Sequence, residues 1–111
     1  MKSNTKILAL IGARSGSVGL KDKNIKKICG LPLMAWIIKA AKKSRYINRI
    51  IVSTDSKKYS KIANRFGAET PFIRPKNIST KYSDEIDYIV HALDFLRKKE
   101  RYIPDIIVRL L

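Results

Sequence analysis

The sequence predicts an α/β fold, in which a mainly parallel sheet carries helices on both of its faces. The first observation behind this prediction is the alternation of short apolar, β-branched segments with longer segments of helical periodicity, in the order β-α-β-α-β-α-β. The second is a loop rich in glycine and cations that directly follows the first apolar segment. A length of 111 residues and a hydrophobic fraction of 45% suffice for one compact domain with a modest core.

Four short apolar segments are expected to form the strands. They are bounded by polar residues or turn formers, as buried parallel strands usually are. Pro71 and Pro75 lie in and next to the third segment, which is therefore expected at a sheet edge or partly irregular. The four segments are Lys6–Ile11, Arg49–Ser53, Thr70–Ile73 and Asp105–Leu111, and the last is expected to be buried.

Three amphipathic helices are expected between the strands. The first covers Leu33–Lys43 with Pro32 at its favoured first position, the second runs to Phe66 and ends at Gly67, and the third reaches about Lys99. Helical spacing places Trp36 in the core rather than in a base-stacking site. The expected apolar stripes are Leu33, Trp36, Ile37, Ala40 and Ala41; Tyr59, Ile62, Ala63 and Phe66; and Ile86, Ile89, Val90, Leu93 and Leu96.

The loop 12–24 is the strongest candidate for a functional site. A strand that leads into a glycine-rich, donor-rich loop is how many α/β proteins hold phosphate groups. The spacing of Gly12, Gly16 and Gly19 fits neither the dinucleotide fingerprint nor the P-loop. The loop also supplies the donors Arg14, Ser15, Ser17, Lys21, Lys23 and Asn24. An anion-binding loop is therefore favoured over an ordinary flexible basic loop.

Three loops are expected to meet at one edge of the sheet. The loop 12–24, Thr54-Asp55 and the loop 74–83 all follow predicted strands, and ligands of parallel sheets lie beyond the carboxyl ends of the strands. Asp55 at such an end is expected to cap a helix rather than to bind a metal ion. His91, the single histidine, lies within a helix and is expected to be structural.

The net charge of +15 suits polyanionic partners such as nucleotides, acidic sugars, nucleic acids or anionic membranes. Because the lysines are scattered along every segment, a solvated basic surface is favoured over a nucleic-acid-binding patch. Cys29 is the single cysteine, which excludes an intrachain disulfide and a zinc cluster and indicates a reduced, cytoplasmic setting. The sequence shows neither a signal peptide nor a membrane-spanning segment.

Several separated motifs resemble one family of enzymes. The motifs are Ala13-Arg14-Ser15-Gly16-Ser17-x-Gly19-x-x-x-Lys23-Asn24, Gly30-x-Pro32-Leu33, Val52-Ser53-Thr54-Asp55, Phe66-Gly67-Ala68-Glu69, Arg74-Pro75, Ile86-Asp87 and His91-Ala92-Leu93. In this order they resemble the cytidylyltransferases that activate acidic sugars, namely acylneuraminate (sialic acid), legionaminate, pseudaminate and Kdo. The resemblance extends over nearly the whole chain.

The resemblance implies a Rossmann-like nucleotidyltransferase fold and the transfer of CMP from CTP to a 2-keto sugar acid, with release of pyrophosphate. It also implies Mg²⁺ as cofactor and a homodimer for the full-length form. Family members are much longer, so residues 1–111 are expected to be the N-terminal, nucleotide-binding half of the domain. The metal ligands and the sugar pocket are expected in the other half, and the isolated chain is expected to show little turnover.

The resemblance also implies roles for individual residues. Arg14 and Lys23 are expected to engage the nucleotide phosphates as the catalytic cations, Arg14 as a bidentate ligand and Lys23 as a point charge. Arg74 and Ser83 are expected to contact the substrate, although Ser83 suits a helix cap equally well. The full set expected to bind the nucleotide is Ala13, Arg14, Ser15, Gly16, Lys21, Lys23 and Asn24.

The chain departs from the family pattern at several places, among them Gly12, where members commonly carry proline. Val18 occupies a position where members usually carry lysine, and Lys21 could supply that cation. Asp84-Glu85 replaces small hydroxyl residues and leaves the identity of the sugar open. Three alternatives remain: another small nucleotidyltransferase, such as those making CDP-alcohols or molybdopterin dinucleotides, a non-catalytic remnant of the fold, and a basic nucleic-acid-binding module.

Overall fold

The computed structural model describes residues 4–15, 25–79 and 85–110. A short 3₁₀ helix covers Lys76–Ile78. The main elements in chain order are β1 (Ile7–Gly12), β2 (Lys27–Ile28), β3 (Leu31–Pro32), α1 (Leu33–Lys43), β4 (Arg49–Ser53), α2 (Lys57–Arg65), α3 (Glu85–Glu100) and β5 (Ile106–Leu110).

A parallel sheet with the strand order β4-β1-β5 forms the centre of the fold. Successive residues of β1 point to opposite faces, and both faces are covered. On one face, Leu8 and Leu10 pack with α3. On the other, Ile11 packs with α1 and α2. The prediction of a mainly parallel sheet between two layers of helices is therefore confirmed.

The last strand differs from its prediction. β5 pairs in parallel with β1, as the pattern indicated, but it was expected to be buried. Ile106 is exposed, and Ile107, Val108 and Leu110 are only half-buried. The reason is that β5 has a single neighbouring strand within the part of the chain that the structure describes.

The predicted third strand, Thr70–Ile73, is absent from the described sheet. Its place is taken by a single parallel bridge between Ile51 and Glu69, which is closed by hydrogen bonds of 2.9 Å from Val52 N to Glu69 O and from Glu69 N to Ile50 O. Pro71 cannot donate a ladder hydrogen bond, so the pairing stops there. Phe72 is nevertheless buried and packs among the core residues on the α3 side of the sheet.

A two-stranded hairpin, which the sequence pattern did not reveal, precedes α1. β2 and β3 pair antiparallel, and the turn between them places Cys29 and Gly30 at φ values of 50° and 85°. Pro32 thus ends β3 and stands at the N-cap of α1, one residue before the predicted position. The Trp36 indole Nε1 donates a hydrogen bond of 2.6 Å to the Ile28 carbonyl. Trp36 is 39% exposed, so its assignment to the core was wrong.

The helices bury different stripes from those expected. α1 has the predicted bounds but is rotated, since Leu33–Ile38 is apolar on all sides and its period does not fix a face. In α3, Ile86 and Val90 are exposed, because the helix turns the Tyr88 ring towards β1 instead. Only the stripe of α2 is as predicted. The buried residues are Met34, Ala35, Ile38 and Ala41 in α1, Tyr59 and Ala63 in α2, and Tyr88, Ala92 and Leu96 in α3.

The N-cap of α2 is Ser56, whose hydroxyl accepts a hydrogen bond of 3.2 Å from Tyr59 N. The helix ends before Gly67, which adopts a φ of 103° as predicted for a C-terminal glycine. Asp55 does not cap the helix, and that prediction was wrong. The capping position falls one residue later, which leaves the Asp55 carboxylate available for the loop after β1.

Replacing Ser56 with alanine is expected to lower the free energy of unfolding by about 1 kcal/mol, because one amide of the first turn of α2 loses its acceptor. Urea unfolding followed by circular dichroism measures the change. Ser56→Thr keeps a capping oxygen and serves as the matched control. Equal losses for the two variants would contradict a capping role.

At the amino ends of the strands, charged residues link β4 to the end of α3. The Arg49 guanidinium pairs with Glu69 and with Glu100, each at 2.8 Å, and lies 4.8 Å from the centre of the Tyr102 ring. Nearby, an Asp105 carboxylate oxygen accepts a hydrogen bond of 2.8 Å from Lys6 N. This network lies at the opposite end of the sheet from the expected site.

Candidate functional site

The carboxyl ends of β1 and β4 are joined by hydrogen bonds. Ala13 N donates to the Ser53 carbonyl at 2.9 Å. Two residues later, Ser15 N donates to Asp55 Oδ1 and Ser15 Oγ donates to Asp55 Oδ2, each at 2.8 Å. The first residues of the glycine-rich loop are thus fixed against the chain that follows β4. We refer to Ala13, Ser15, Ser53 and Asp55 as the loop clamp.

Arg14 lies between the two fixed residues of the loop clamp. It is half-buried, and its positive charge contributes to lowering the pKa of Arg74. Because the amides of Ala13 and Ser15 are both anchored, the backbone holds Arg14 at the carboxyl end of the central strand. The ligands of parallel α/β sheets are found at this end.

Arg74 is buried at the same edge of the sheet, with 4% of its surface exposed. Its Nε donates to Ser53 Oγ at 3.0 Å, and an Nη donates to the Ser53 carbonyl at 2.9 Å. Its own backbone N–H donates to the Thr54 carbonyl at 2.8 Å, and its guanidinium lies 4.6 Å from the centre of the Tyr88 ring. Arg74 is therefore neither a surface cation nor a residue of a mobile loop.

Burial is the main influence on the pKa of Arg74, which it lowers. Tyr88 and Asp55 act in the opposite direction, and Arg14 adds to the lowering. Arginine stays protonated in proteins over the accessible pH range. The site therefore holds a buried positive charge next to the half-buried Arg14, with Asp55 as the nearby negative charge. Such a surface attracts an anionic ligand.

The structure brings together four of the residues singled out in the sequence, namely Ala13, Arg14, Ser15 and Arg74. The convergence of the loops after β1 and β4 and of the segment at Arg74 is thus as the strand order predicted. The other singled-out residues lie outside the described residues: Gly16, Lys21, Lys23, Asn24 and Ser83.

Sequence reasoning missed two contributors to this edge. Ser53 accepts hydrogen bonds from both Ala13 and Arg74, and Tyr88 packs under the Arg74 guanidinium. Ser53 was seen as the last residue of a strand and as part of the Val52-Ser53-Thr54-Asp55 motif but was given no role in the site, although a polar residue at that place is a signal for a strand-end site. Tyr88 gave no such signal, because its role depends on the approach of α3 to β1.

His91 packs against the apolar side of the fold. Its ring meets the Phe72 ring edge-on at a centroid distance of 4.8 Å, and its buried Nδ1 has no hydrogen-bond partner among the described residues. Burial is the first cause that lowers the pKa of His91, and the Arg74 charge is the second. The expected structural role agrees with this packing.

The described residues were also compared with the requirements of a metal site. In the ranges 4–15, 25–79 and 85–110, no three His, Cys, Asp or Glu side chains are grouped so that they could hold a metal ion. Both carboxylate oxygens of Asp55 accept hydrogen bonds from Ser15. This part of the chain therefore offers no preformed cluster of metal-ligating side chains. Within it, no helix has the length and apolar character needed to cross a bilayer either.

Known proteins were compared with the sequence and the fold. The chain is 40% identical over 98 residues to the N-acylneuraminate cytidylyltransferase of Escherichia coli, a match that covers 88% of this chain and 23% of the relative. It is 41% identical over 88 residues to the CMP-N,N'-diacetyllegionaminic acid synthase of Legionella pneumophila, covering 79% of this chain and 38% of that relative. The chain thus spans less than half the length of these curated relatives.

The fold resembles that of a solved synthetase. It matches the structure of CMP:2-keto-3-deoxy-manno-octonic acid synthetase complexed with CTP with a TM-score of 0.76, at 22% identity, over 96% of this chain and 39% of that one. At this identity the likeness concerns the fold alone. The family model described as Cytidylyltransferase matches residues 8–105, which is most of the chain. The chain therefore belongs to the cytidylyltransferase family.

Proposed function

We propose that this chain is the N-terminal, nucleotide-binding portion of an enzyme that transfers CMP from CTP to a 2-keto sugar acid and releases pyrophosphate. The observation that carries the proposal is the loop clamp, which holds Arg14 at the carboxyl end of β1. The family and the names of the relatives, which include neuraminate and legionaminic acid enzymes, support a sialic-acid-like substrate.

The chemistry requires charge neutralisation more than covalent assistance. The anomeric hydroxyl of the sugar attacks the α-phosphorus in line, and pyrophosphate leaves with its negative charge. In this proposal the planar guanidinium of Arg14 donates hydrogen bonds to phosphate oxygens, and Lys23 adds a point charge from the same loop. Such preorganised cations stabilise the charge that develops in the transition state. Ala13, Ser15, Gly16, Lys21 and Asn24 complete the proposed nucleotide contacts.

The proposed role of Arg74 differs from the substrate contact that the resemblance to the cytidylyltransferases alone implies. Nε and one Nη of its guanidinium donate to Ser53, so its contribution to the substrate is the field of a buried positive charge as well as any direct contact. Ser83 stays a proposed substrate contact. Mg²⁺ ligands are proposed in the other half of the domain, since the described residues hold no group of three metal-ligating side chains.

Three further properties of the whole protein belong to the same proposal. The isolated 111-residue chain should bind CTP weakly and form little CMP-sugar. A homodimer is proposed for the full-length form, and light scattering after size-exclusion chromatography would test it. The single cysteine, Cys29, is free and exposed, which suits the reducing cytoplasm.

Replacing Arg14 with alanine is expected to weaken CTP binding by about 30-fold, because charge-assisted hydrogen bonds to phosphate contribute about 2 kcal/mol. Isothermal titration calorimetry of the chain with CTP measures the change. Arg45→Ala removes the same charge from an exposed position and should leave the affinity near that of the wild type.

Titrations with UTP, ATP and a random DNA duplex complete this test. The proposal expects CTP to bind more tightly than UTP and ATP. A basic nucleic-acid-binding module would instead bind all nucleotides with equal affinity and lose equal affinity in the two arginine variants. It would also bind the duplex tightly, with a steep salt dependence.

A further inference from the structure

Tyr88, in the first turn of α3, fills the space above Gly12 at the end of β1. A Cβ atom placed on Gly12 would lie 2.7 Å from Tyr88 Cζ and 3.0 Å from the Tyr88 hydroxyl oxygen. The first of these distances is shorter than real Cβ contacts, so a side chain at position 12 would force the Tyr88 ring to shift. The aromatic ring of α3 thus contacts the backbone directly before Ala13 and Arg14.

The ring also supports Arg74 and reaches β5. The Arg74 guanidinium lies over the ring at 4.6 Å from its centre, a distance at which a cation is attracted to the aromatic face. The charge of Arg109 on β5 acts to lower the pKa of the Tyr88 hydroxyl, and the Arg109 guanidinium forms an ion pair with Glu85. Burial, the largest influence, raises the pKa of Tyr88, so the hydroxyl stays protonated at neutral pH.

A chain of contacts leads from Tyr88 to the loop clamp. The ring holds the Arg74 guanidinium, which donates to Ser53 Oγ and to the Ser53 carbonyl. The same carbonyl accepts the Ala13 N–H at 2.9 Å, one residue before Arg14. Tyr88 therefore contacts this edge twice, through Arg74 and Ser53 and through its packing on Gly12.

We propose that Tyr88 is a positioning residue of the nucleotide site, which fixes Arg74 against Ser53 and thereby sets the start of the Arg14 loop. The inference rests on the proposed function, since it assumes that this loop binds CTP. It goes beyond that function because it assigns a role to α3. The aromatic ring, more than the hydroxyl, carries the role.

Tyr102 offers a matched control. Its ring lies under the Arg49 guanidinium at 4.8 Å, nearly the same distance as for Tyr88 and Arg74, but at the opposite end of the sheet. Replacing either tyrosine with leucine removes a buried aromatic face from an arginine. Only the loss of Tyr88 should alter the nucleotide site.

The experiment combines two NMR measurements on the 111-residue chain. The first is the solvent exchange rate of the Arg74 Nε–H without nucleotide. We expect Tyr88→Leu to raise this rate by about tenfold or more, since the hydrogen bond from Arg74 Nε to Ser53 Oγ loses its support. Tyr88→Phe and Tyr102→Leu should leave the rate within about threefold of the wild-type value. The second is the CTP dissociation constant, which Tyr88→Leu should raise by about tenfold while Tyr88→Phe restores most of the affinity.

A double-mutant cycle separates positioning from a general structural effect. In the Arg74→Leu background, Tyr88→Leu should cause a smaller further loss of CTP affinity than in the wild type, because the path through Arg74 is already broken and only the packing on Gly12 remains. If the losses of CTP affinity in the two single variants multiply in the double variant, the proposal is overturned. It is also overturned if the Arg74 Nε–H exchange rate is unchanged in Tyr88→Leu. If the wild-type chain binds no CTP, the proposed function fails, and the Nε–H exchange rate alone decides whether Tyr88 positions Arg74.

Discussion

Replacing Arg74 with leucine is expected to lower the free energy of unfolding by about 3 kcal/mol, because the buried Ser53 Oγ loses its donor and the Ser53 carbonyl loses one of its two donors. The loss is larger than for a surface arginine, since only 4% of Arg74 is exposed. The same variant should weaken CTP binding, because it removes the buried charge and one anchor of the Ser53 carbonyl. Urea unfolding and CTP titration measure the two effects.

Arg49→Leu is the control for the Arg74 variant. Arg49 lies on the same strand as Ser53 and stacks on a tyrosine in the same way, but at the amino end. Its loss should destabilise the chain and leave CTP affinity unchanged at temperatures where both variants are folded. If Arg74→Leu is as stable as the wild type, the structural role assigned to this guanidinium is incorrect.

Replacing Asp55 with alanine is expected to weaken CTP binding by about 100-fold. Two hydrogen bonds to a carboxylate hold Ser15, and their loss costs about 3 kcal/mol of local stability. The free chain then occupies the binding-competent loop conformation only rarely, and the apparent affinity falls by the same factor. The titration should be accompanied by circular dichroism to verify that the variant is folded.

Asp105→Ala and Asp55→Asn are the control variants for Asp55→Ala. Asp105 also accepts a backbone N–H, at the amino end of the sheet, and its replacement should leave CTP affinity unchanged. Asparagine at position 55 keeps an acceptor for Ser15 N, so it should retain most of the affinity. An asparagine variant as weak as the alanine variant would indicate that the charge of Asp55 matters, as for a metal ligand, rather than its hydrogen bonds.

Much of the order of strands and helices along the chain could be predicted from the sequence, because the local signals are strong. The bounds of β4 and α1 are those predicted, since each lies between clear polar or turn-forming neighbours. The rule that ligands of parallel sheets bind beyond the carboxyl ends of the strands placed Arg14 and Thr54 at one edge of the sheet, where the contacts of the loop clamp lie. Arg74 reaches the same edge through its hydrogen bonds to Ser53 and Thr54, although Thr70–Ile73 forms no strand. Parallel strands leave few other places for these loops.

The side of each helix that faces the core was harder to predict than the bounds of the helices, and the reasons are physical. Leu33–Ile38 offers an apolar residue in every direction, so periodicity alone could not exclude Trp36 from the core. Trp36 lies at the surface because its indole N–H finds an acceptor on the β2–β3 hairpin, an element too short to leave a hydrophobic pattern. Val90 likewise fits a stripe but is exposed, because the Tyr88 ring determines how α3 faces β1.

The partners within the site depend on contacts between distant parts of the chain. Ser15 and Asp55 are separated by 40 residues, and Ser53 and Arg74 by 21. No spacing rule links such pairs, and so Asp55 resembled a helix cap when only its neighbours in sequence were considered. The pairs become visible once the strand order is known.

A CTP titration followed by NMR, with backbone amides assigned, tests the central claim most directly. The claim is that the carboxyl end of β1 binds the nucleotide through the Arg14 loop. The predicted result is a set of chemical shift changes confined to the amides of the loop 12–24, of Thr54 and Asp55, and of the segment around Arg74, with none at Arg49 or Tyr102. Changes spread over the lysine-bearing faces of α1 and α2, with the same pattern for inorganic phosphate, would contradict it.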